Sequence, residues 1–114
     1  MHEVGIANSI IEAGQAAAQR AGSKLVRICV RVGTLAGVDT DALRFAFSAL
    51  VQDTDLDAVD FEIQACPRRN RCLECDYEFE SGVYGDPCPR CTSERSILVG
   101  GEELDLAYVE VEEA

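Results

Sequence analysis

Two cysteine doublets constrain this chain more than anything else in it: Cys72-x2-Cys75 and Cys88-x2-Cys91, with twelve residues between them. Each doublet lets two thiolates grip one ion from a tight turn, and two such turns facing each other complete a tetrahedron. Four thiolates in that geometry suit zinc. Iron fits the same softness and shape, so the spacing alone leaves a rubredoxin-like electron carrier open. A fully saturated thiolate set has no free coordination position, which makes the site structural rather than hydrolytic. Disulfides are the rival reading. The chain start argues against them: Glu3 stands where an export signal needs positive charge, and no apolar h-region follows. The expected compartment is the reducing cytoplasm.

The sequence around the doublets differs from the rest. Residues 66–98 hold five of the six cysteines and all three prolines, with little aliphatic content. Tyr77 and Phe79 alternate ahead of Ser81-Gly82, which reads as the turn of a ribbon hairpin. So short a module has too little core to fold alone, and the metal supplies its folding free energy. A zinc ribbon over residues 66–98 is therefore expected as an insertion in a domain made of residues 1–65 and 99–114.

That second domain has its own periodicities. Apolar positions Val4, Ala7, Ile10, Ile11, Gly14, Ala17, Ala18 and Ala21 recur at spacings of three and four, predicting a helix ended by Gly22. From Lys24 to Val32, Val26, Ile28, Val30 and Val32 alternate with Leu25, Arg27, Cys29 and Arg31, predicting a half-buried strand. A Gly33–Gly37 loop leads to Asp39 or Thr40 as the cap of a second helix. That helix runs to about Val51 and has Leu43, Ala46, Phe47, Leu50 and Val51 as its apolar face. A second strand follows at Val59–Ala65, and a last one at Glu103–Val111, where the alternation slips between Leu106 and Val109 as at a bulge. Strand, helix and strand in succession predict a parallel crossover. The expected fold class is α+β: a three-stranded mixed sheet with two helices on one face, plus the inserted four-cysteine zinc ribbon.

Charge and composition exclude several functions. The net charge of −11 repels phosphate backbones. Arg68-Arg69-Asn70-Arg71 is the best support for the alternative, a zinc-ribbon module that binds nucleic acid or protein, but the charge makes nucleic acid an unexpected partner. No apolar run approaches the roughly 20 residues that span a bilayer, so no membrane association is expected. An enzyme is not expected either: the single histidine, His2, forms no triad, and the glycines at 33 and 37 lack the Gly-Lys-Ser/Thr of a phosphate loop. Asp53, Asp55 and Asp57 read as a solvated face. Outside the quartet, Cys29 reads as a packing residue and Cys66 as a spare thiol or an alternative ligand.

His2 is the remaining oddity. A free α-amine, the amide nitrogen of His2 and its ring nitrogen can close two fused chelate rings on one ion, with Glu3 giving its carboxylate or amide nitrogen as the fourth donor. Square-planar nitrogen and oxygen sets of this kind suit Ni(II) and Cu(II). The bland reading of the same residues is a frayed chain end.

"MHE" at the start, "VRVGTLAGV" at Val30–Val38, the paired C-x2-C and "GGEELDLAYVEVE" near the end occur here in one order. Together they closely resemble the HypA/HybF family of nickel-insertion accessory proteins for [NiFe]-hydrogenase maturation, over essentially the whole chain. The resemblance implies a metallochaperone. Met1, His2 and Glu3 would hold nickel, and Cys72, Cys75, Cys88 and Cys91 structural zinc. The implied partners are a HypB-type GTPase and the hydrogenase large subunit, and the family is compatible with a homodimer. In one respect the chain departs from the family: several members carry histidines beside their C-x2-C pairs, whereas here Leu73-Glu74 follow Cys72 and Thr92-Ser93 follow Cys91. Histidine-dependent switching at the zinc site is therefore not implied for this protein.

Overall fold

The structure, a computed structural model of the chain, describes residues 3–83 and 85–113. Its elements in order are α1 (Glu3–Ala21), β1 (Leu25–Gly33), α2 (Thr40–Val51), β2 (Asp60–Cys66), β3 (Arg69–Cys72), β4 (Glu78–Glu80), β5 (Ser96–Gly100) and β6 (Leu104–Val111). The strands form two sheets of three, ordered β2-β1-β6 and β4-β3-β5.

In the first sheet β1 is central, parallel to β2 and antiparallel to β6. Helix α2 is the crossover between the parallel pair, as the strand–helix–strand order requires. The core lies on one face. Ile6, Ala7, Ile10, Ile11 and Ala18 of α1 meet Ile28, Val30 and Val32 of β1 and Leu43, Ala46, Phe47 and Val51 of α2. Phe47 stacks on Phe61 with ring centroids 4.1 Å apart. The mixed sheet with two helices on one face is thus present as expected.

The helix ends follow local chemistry. Gly22 takes φ +68°, and Ser23 N–H reaches back to Ala18 O at 3.3 Å, a left-handed closure that suits a residue without Cβ. Asp39 caps α2: its Oδ1 accepts from the N–H groups of Asp41 and Ala42 at 3.0 and 3.1 Å. Among the described residues no helix is long and apolar enough to cross a membrane.

Several expected core positions are not core. Val4 is 56 % exposed and Ala21 is also exposed; both sit in terminal turns, beyond the cover of the sheet, and Ile6 is buried in their stead. Leu50 lies on the outer side of the stripe formed by Leu43, Ala46, Phe47 and Val51, and is exposed. In β1 the expected faces are reversed at the start: Leu25 is buried and Val26 exposed. The pairing with β6 shifts register between Leu25 and Arg27, which puts an extra residue into β1 and turns the preceding side chain over. A second shift falls where the alternation of the last strand breaks. Val30 pairs with Leu106 and Cys29 with Tyr108, so Ala107 is the bulged residue.

The molecule is long: 53 × 31 × 16 Å, with a radius of gyration of 17.7 Å against about 13 Å for one compact domain of this length. The two sheets meet at a narrow joint made of backbone. Gly33 N–H donates to Glu103 O at 2.7 Å, Thr34 N–H to Cys66 O at 3.0 Å and Leu35 N–H to Gly101 O at 2.7 Å. A Cβ on Gly33 would stand 2.0 Å from Gly101 O, so only glycine lets the two segments approach this closely.

Candidate metal centre

The second sheet is a scaffold for the cysteines. Strand β3 ends at Cys72, and the chain turns through Leu73–Tyr77 into β4, pairing Arg71 with Glu78, Asn70 with Phe79 and Arg69 with Glu80. The ribbon hairpin therefore closes on the first cysteine doublet and not on Ser81-Gly82, the turn expected from the sequence. The reason is chelation geometry: the C-x2-C turn is itself the reversal, and Tyr77 and Phe79 belong to its exit strand. Strand β5, on the other side of β3, has no counterpart among the expected elements. Its signal is nevertheless present in the sequence: Ile97, Leu98 and Val99 form an aliphatic run bounded by Gly100-Gly101.

The two doublets repeat one local conformation. Asp76 N–H donates to Cys72 O at 3.0 Å and Cys72 N–H to Tyr77 O at 2.9 Å. Thr92 N–H donates to Cys88 O at 2.8 Å and Cys88 N–H to Ser93 O at 2.9 Å. In each turn a backbone N–H points at the first sulfur: Glu74 to Cys72 Sγ and Arg90 to Cys88 Sγ, both at 3.4 Å. The residue after each second cysteine, Asp76 or Thr92, is left-handed at φ 63° and 64°. These two positions, invisible to a search for ligands, are what let each turn reverse so tightly.

The four Sγ atoms of Cys72, Cys75, Cys88 and Cys91 lie within 4.8 Å of one another. Cys72 and Cys91 are 3.5 Å apart at sulfur, and Cys75 and Cys88 3.7 Å. A tetrahedron with Zn–S bonds of about 2.3 Å has edges of about 3.8 Å. The donor set therefore fits one zinc ion. Cys72 and Cys88 are buried, and Phe79 packs with them as a small separate core.

Electrostatics favours a cation at the same place. Burial acts against the Cys72 thiolate, but the N–H groups of Cys75 and Glu74 and the neighbouring thiols bring its pKa to about 7. Cys88 is lowered by the N–H groups of Cys91 and Arg90 working against burial. At Cys91 the Ser93 N–H favours the thiolate, yet the hydrogen bond with Cys72, burial, and the bonds with Cys75 and Cys88 push it up to about 12. Cys75 is raised as well: the Tyr77 N–H is outweighed by burial and by its bonds with Cys72 and Cys88. Without a cation the cluster cannot carry four adjacent negative charges, so protons remain on part of it. A divalent ion removes that conflict.

The surroundings hold the turns in place. The Arg95 guanidinium donates to Glu74 Oε1 at 3.0 Å, and the Arg90 guanidinium lies 4.8 Å over the Tyr77 ring. In the basic run, Arg69 is ion-paired with Glu78. Neither Cys29 nor Cys66 joins the quartet. Cys29 is buried in β1 between Glu62 and Tyr108, and Cys66 closes β2 opposite Gly33.

Of the residues singled out for nickel, Met1 and His2 lie outside the described residues. Glu3 is the first residue of α1, where a carboxylate meets the positive end of the helix dipole. Its Oε2 accepts from Asp39 N–H at 3.3 Å, linking the starts of α1 and α2.

Residues 1–111 match the HypA family, described as "Hydrogenase/urease nickel incorporation, metallochaperone, hypA". The hydrogenase maturation factor HypA of Geobacter metallireducens is 37 % identical over 112 residues, covering 98 % of this chain and 100 % of that protein. The HypA of Chlorobium luteolum is 36 % identical over 114 residues, covering 99 % and 97 %. In fold, the chain is similar to the solution structure of the Ni metallochaperone HypA from Helicobacter pylori, with a TM-score of 0.64 at 22 % identity over 97 % of both chains. A second HypA solution structure gives a TM-score of 0.70 at 22 % identity, covering 98 % of this chain and 97 % of that one.

Proposed function

We propose that this chain, which belongs to the HypA family of hydrogenase and urease nickel-incorporation metallochaperones, carries Ni(II) at its amino terminus for assembly of the [NiFe]-hydrogenase active site. The observation that carries this reading is the family match, which begins at Met1 and runs to residue 111. The nickel donors are the α-amine of Met1, the amide and ring nitrogens of His2, and Glu3.

The start of α1 supports a choice between the two donors Glu3 offers. Its carboxylate is turned toward Asp39 N–H. Its own amide belongs to the first turn of a helix, where N–H groups have no intrahelical acceptor. Replacing that proton by a metal ion, with the proton released to water, breaks no helical hydrogen bond, so the Glu3 amide nitrogen is the fourth donor. Cys72, Cys75, Cys88 and Cys91 hold zinc, which supplies folding free energy to the ribbon and no reaction chemistry.

The chain works as two parts, residues 1–65 with 99–114 for nickel and residues 66–98 for zinc. The two separate sheets support a division into two parts, while the strands themselves run a residue or two past these bounds: Cys66 is paired in the first sheet, and Val99 and Gly100 lie within β5 of the second. The sequence carries no phosphate loop, so nucleotide hydrolysis belongs to a partner, a HypB-type GTPase; the recipient is the hydrogenase large subunit.

The test is calorimetric titration of Ni(II) into the zinc-loaded chain with its native terminus. His2→Ala, or one residue added before Met1, is expected to remove specific nickel binding while zinc content stays at one ion per chain. Unchanged nickel affinity in either variant would rule out the terminal site.

A further inference from the structure

The two sheets present four outer edges, and three of them are guarded. Strand β2 carries Asp60 and Glu62, β6 carries Asp105 and Glu110, and β4 is short with Glu78 and Glu80 at its ends. Charges and shortness of this kind keep an edge from pairing with another chain. Strand β5 has neither. Ile97, Leu98 and Val99 follow one another at 40, 39 and 38 % exposure, with no charged residue in the strand. It pairs with β3 along one side, and among the described residues no strand takes the other.

At the end of this strand the surface forms an open hollow of about 320 Å³, lined by Leu98, Val99, Gly100, Glu102 and Glu103. Its aliphatic part can cover the stem of a long basic side chain while the carboxylates meet the head group. Glu103 keeps its charge: its own N–H and that of Gly101, the latter 2.7 Å from Oε1, hold its carboxyl below the usual range.

Charge decides what occupies the edge. Two copies paired edge to edge would bring together two chains of net charge −11, each with Glu102 and Glu103 at the end of the strand. Like charges facing across a strand pair are destabilising. A basic partner meets no such barrier. We propose that β5 receives an extended segment of a partner protein, aliphatic along its length and ending in lysine or arginine at Glu102, which adds to the ribbon sheet as a fourth strand. This goes beyond nickel carriage and does not depend on the terminal donors.

The test uses the zinc-loaded full chain, isotope-labelled for NMR, and two acetylated peptides of alternating threonine and valine, one ending in lysine and one in glutamate. The lysine peptide is expected to shift the amides of residues 96–100 and Glu102 and to slow hydrogen exchange in β5. The glutamate peptide is expected to bind about tenfold more weakly, and Glu102→Lys to reverse that preference. Leu98→Lys, a change at an exposed position, is expected to remove binding at unchanged zinc content. Three results would overturn the proposal: no response at β5, a preference indifferent to Glu102→Lys, or a concentration-dependent doubling of mass abolished by Leu98→Lys, which would make a second copy the occupant.

Discussion

Thr92 is a β-branched residue held at φ 64°, a conformation that suits glycine. Its hydroxyl donates to Cys91 O at 2.6 Å, an exposed and local bond, whereas the turn itself requires only the left-handed backbone. Thr92→Gly is therefore expected to stabilise the zinc-loaded protein by about 1 kcal/mol in urea unfolding. Asp76→Gly should gain less, because aspartate tolerates this region better. The same scale separates interactions that look alike by distance alone. Asp39 satisfies two N–H groups of α2, and Asp39→Ala should cost about 1 kcal/mol. The Arg31–Asp105 pair is closer, at 2.6 Å, but its side chains are 44 % and 50 % exposed, so Asp105→Asn should change stability by less than about 1 kcal/mol. The Arg31 hydrogen bond and charge hold the Asp105 carboxyl below its usual range. Its small contribution is thus present above the unfolded carboxylate pKa and fades as the pH falls below about 4. Urea midpoints at neutral and acid pH check both statements.

At the scale of elements, the two sheets owe their stability to different sources. The first buries a helix-covered aliphatic face. Among the described residues the second has Cys72, Phe79 and Cys88 as its own buried cluster, too little to offset the entropy of ordering three strands. Removing zinc with a chelator is expected to abolish exchange protection in β3, β4 and β5 while β1, β2 and β6 retain theirs. Zinc binding should release protons, because Cys91 is pushed up to about 12 in the metal-free cluster. Affinity should accordingly rise with pH through neutrality and fall below it, as calorimetry in buffers of different ionisation enthalpy would measure. The elements are unequally legible in the sequence. The helices, β1 and the β6 bulge carry clear periodicities over eight or more residues. Strands β3, β4 and β5, of four, three and five residues, are too short for a period to show, and metal chelation rather than hydrophobic patterning positions them.

At the scale of the whole molecule, the joint at Gly33 and Gly101 sets how the two sheets are held. Gly33→Ala would force Gly101 O aside from a Cβ only 2.0 Å away, and is expected to destabilise the chain by at least about 2 kcal/mol, with altered amide shifts in both sheets. The chain by itself determined the cysteine quartet, the crossover fold and the family, because each rests on the order and spacing of residues along the backbone. Only the tertiary structure decided that the first C-x2-C turn closes the ribbon hairpin, that Glu3 opens a helix beside Asp39, and that Ile97–Val99 form an open edge. These are facts about which segments become neighbours. That is settled by packing, charge and chelation between distant residues, and no local pattern records it.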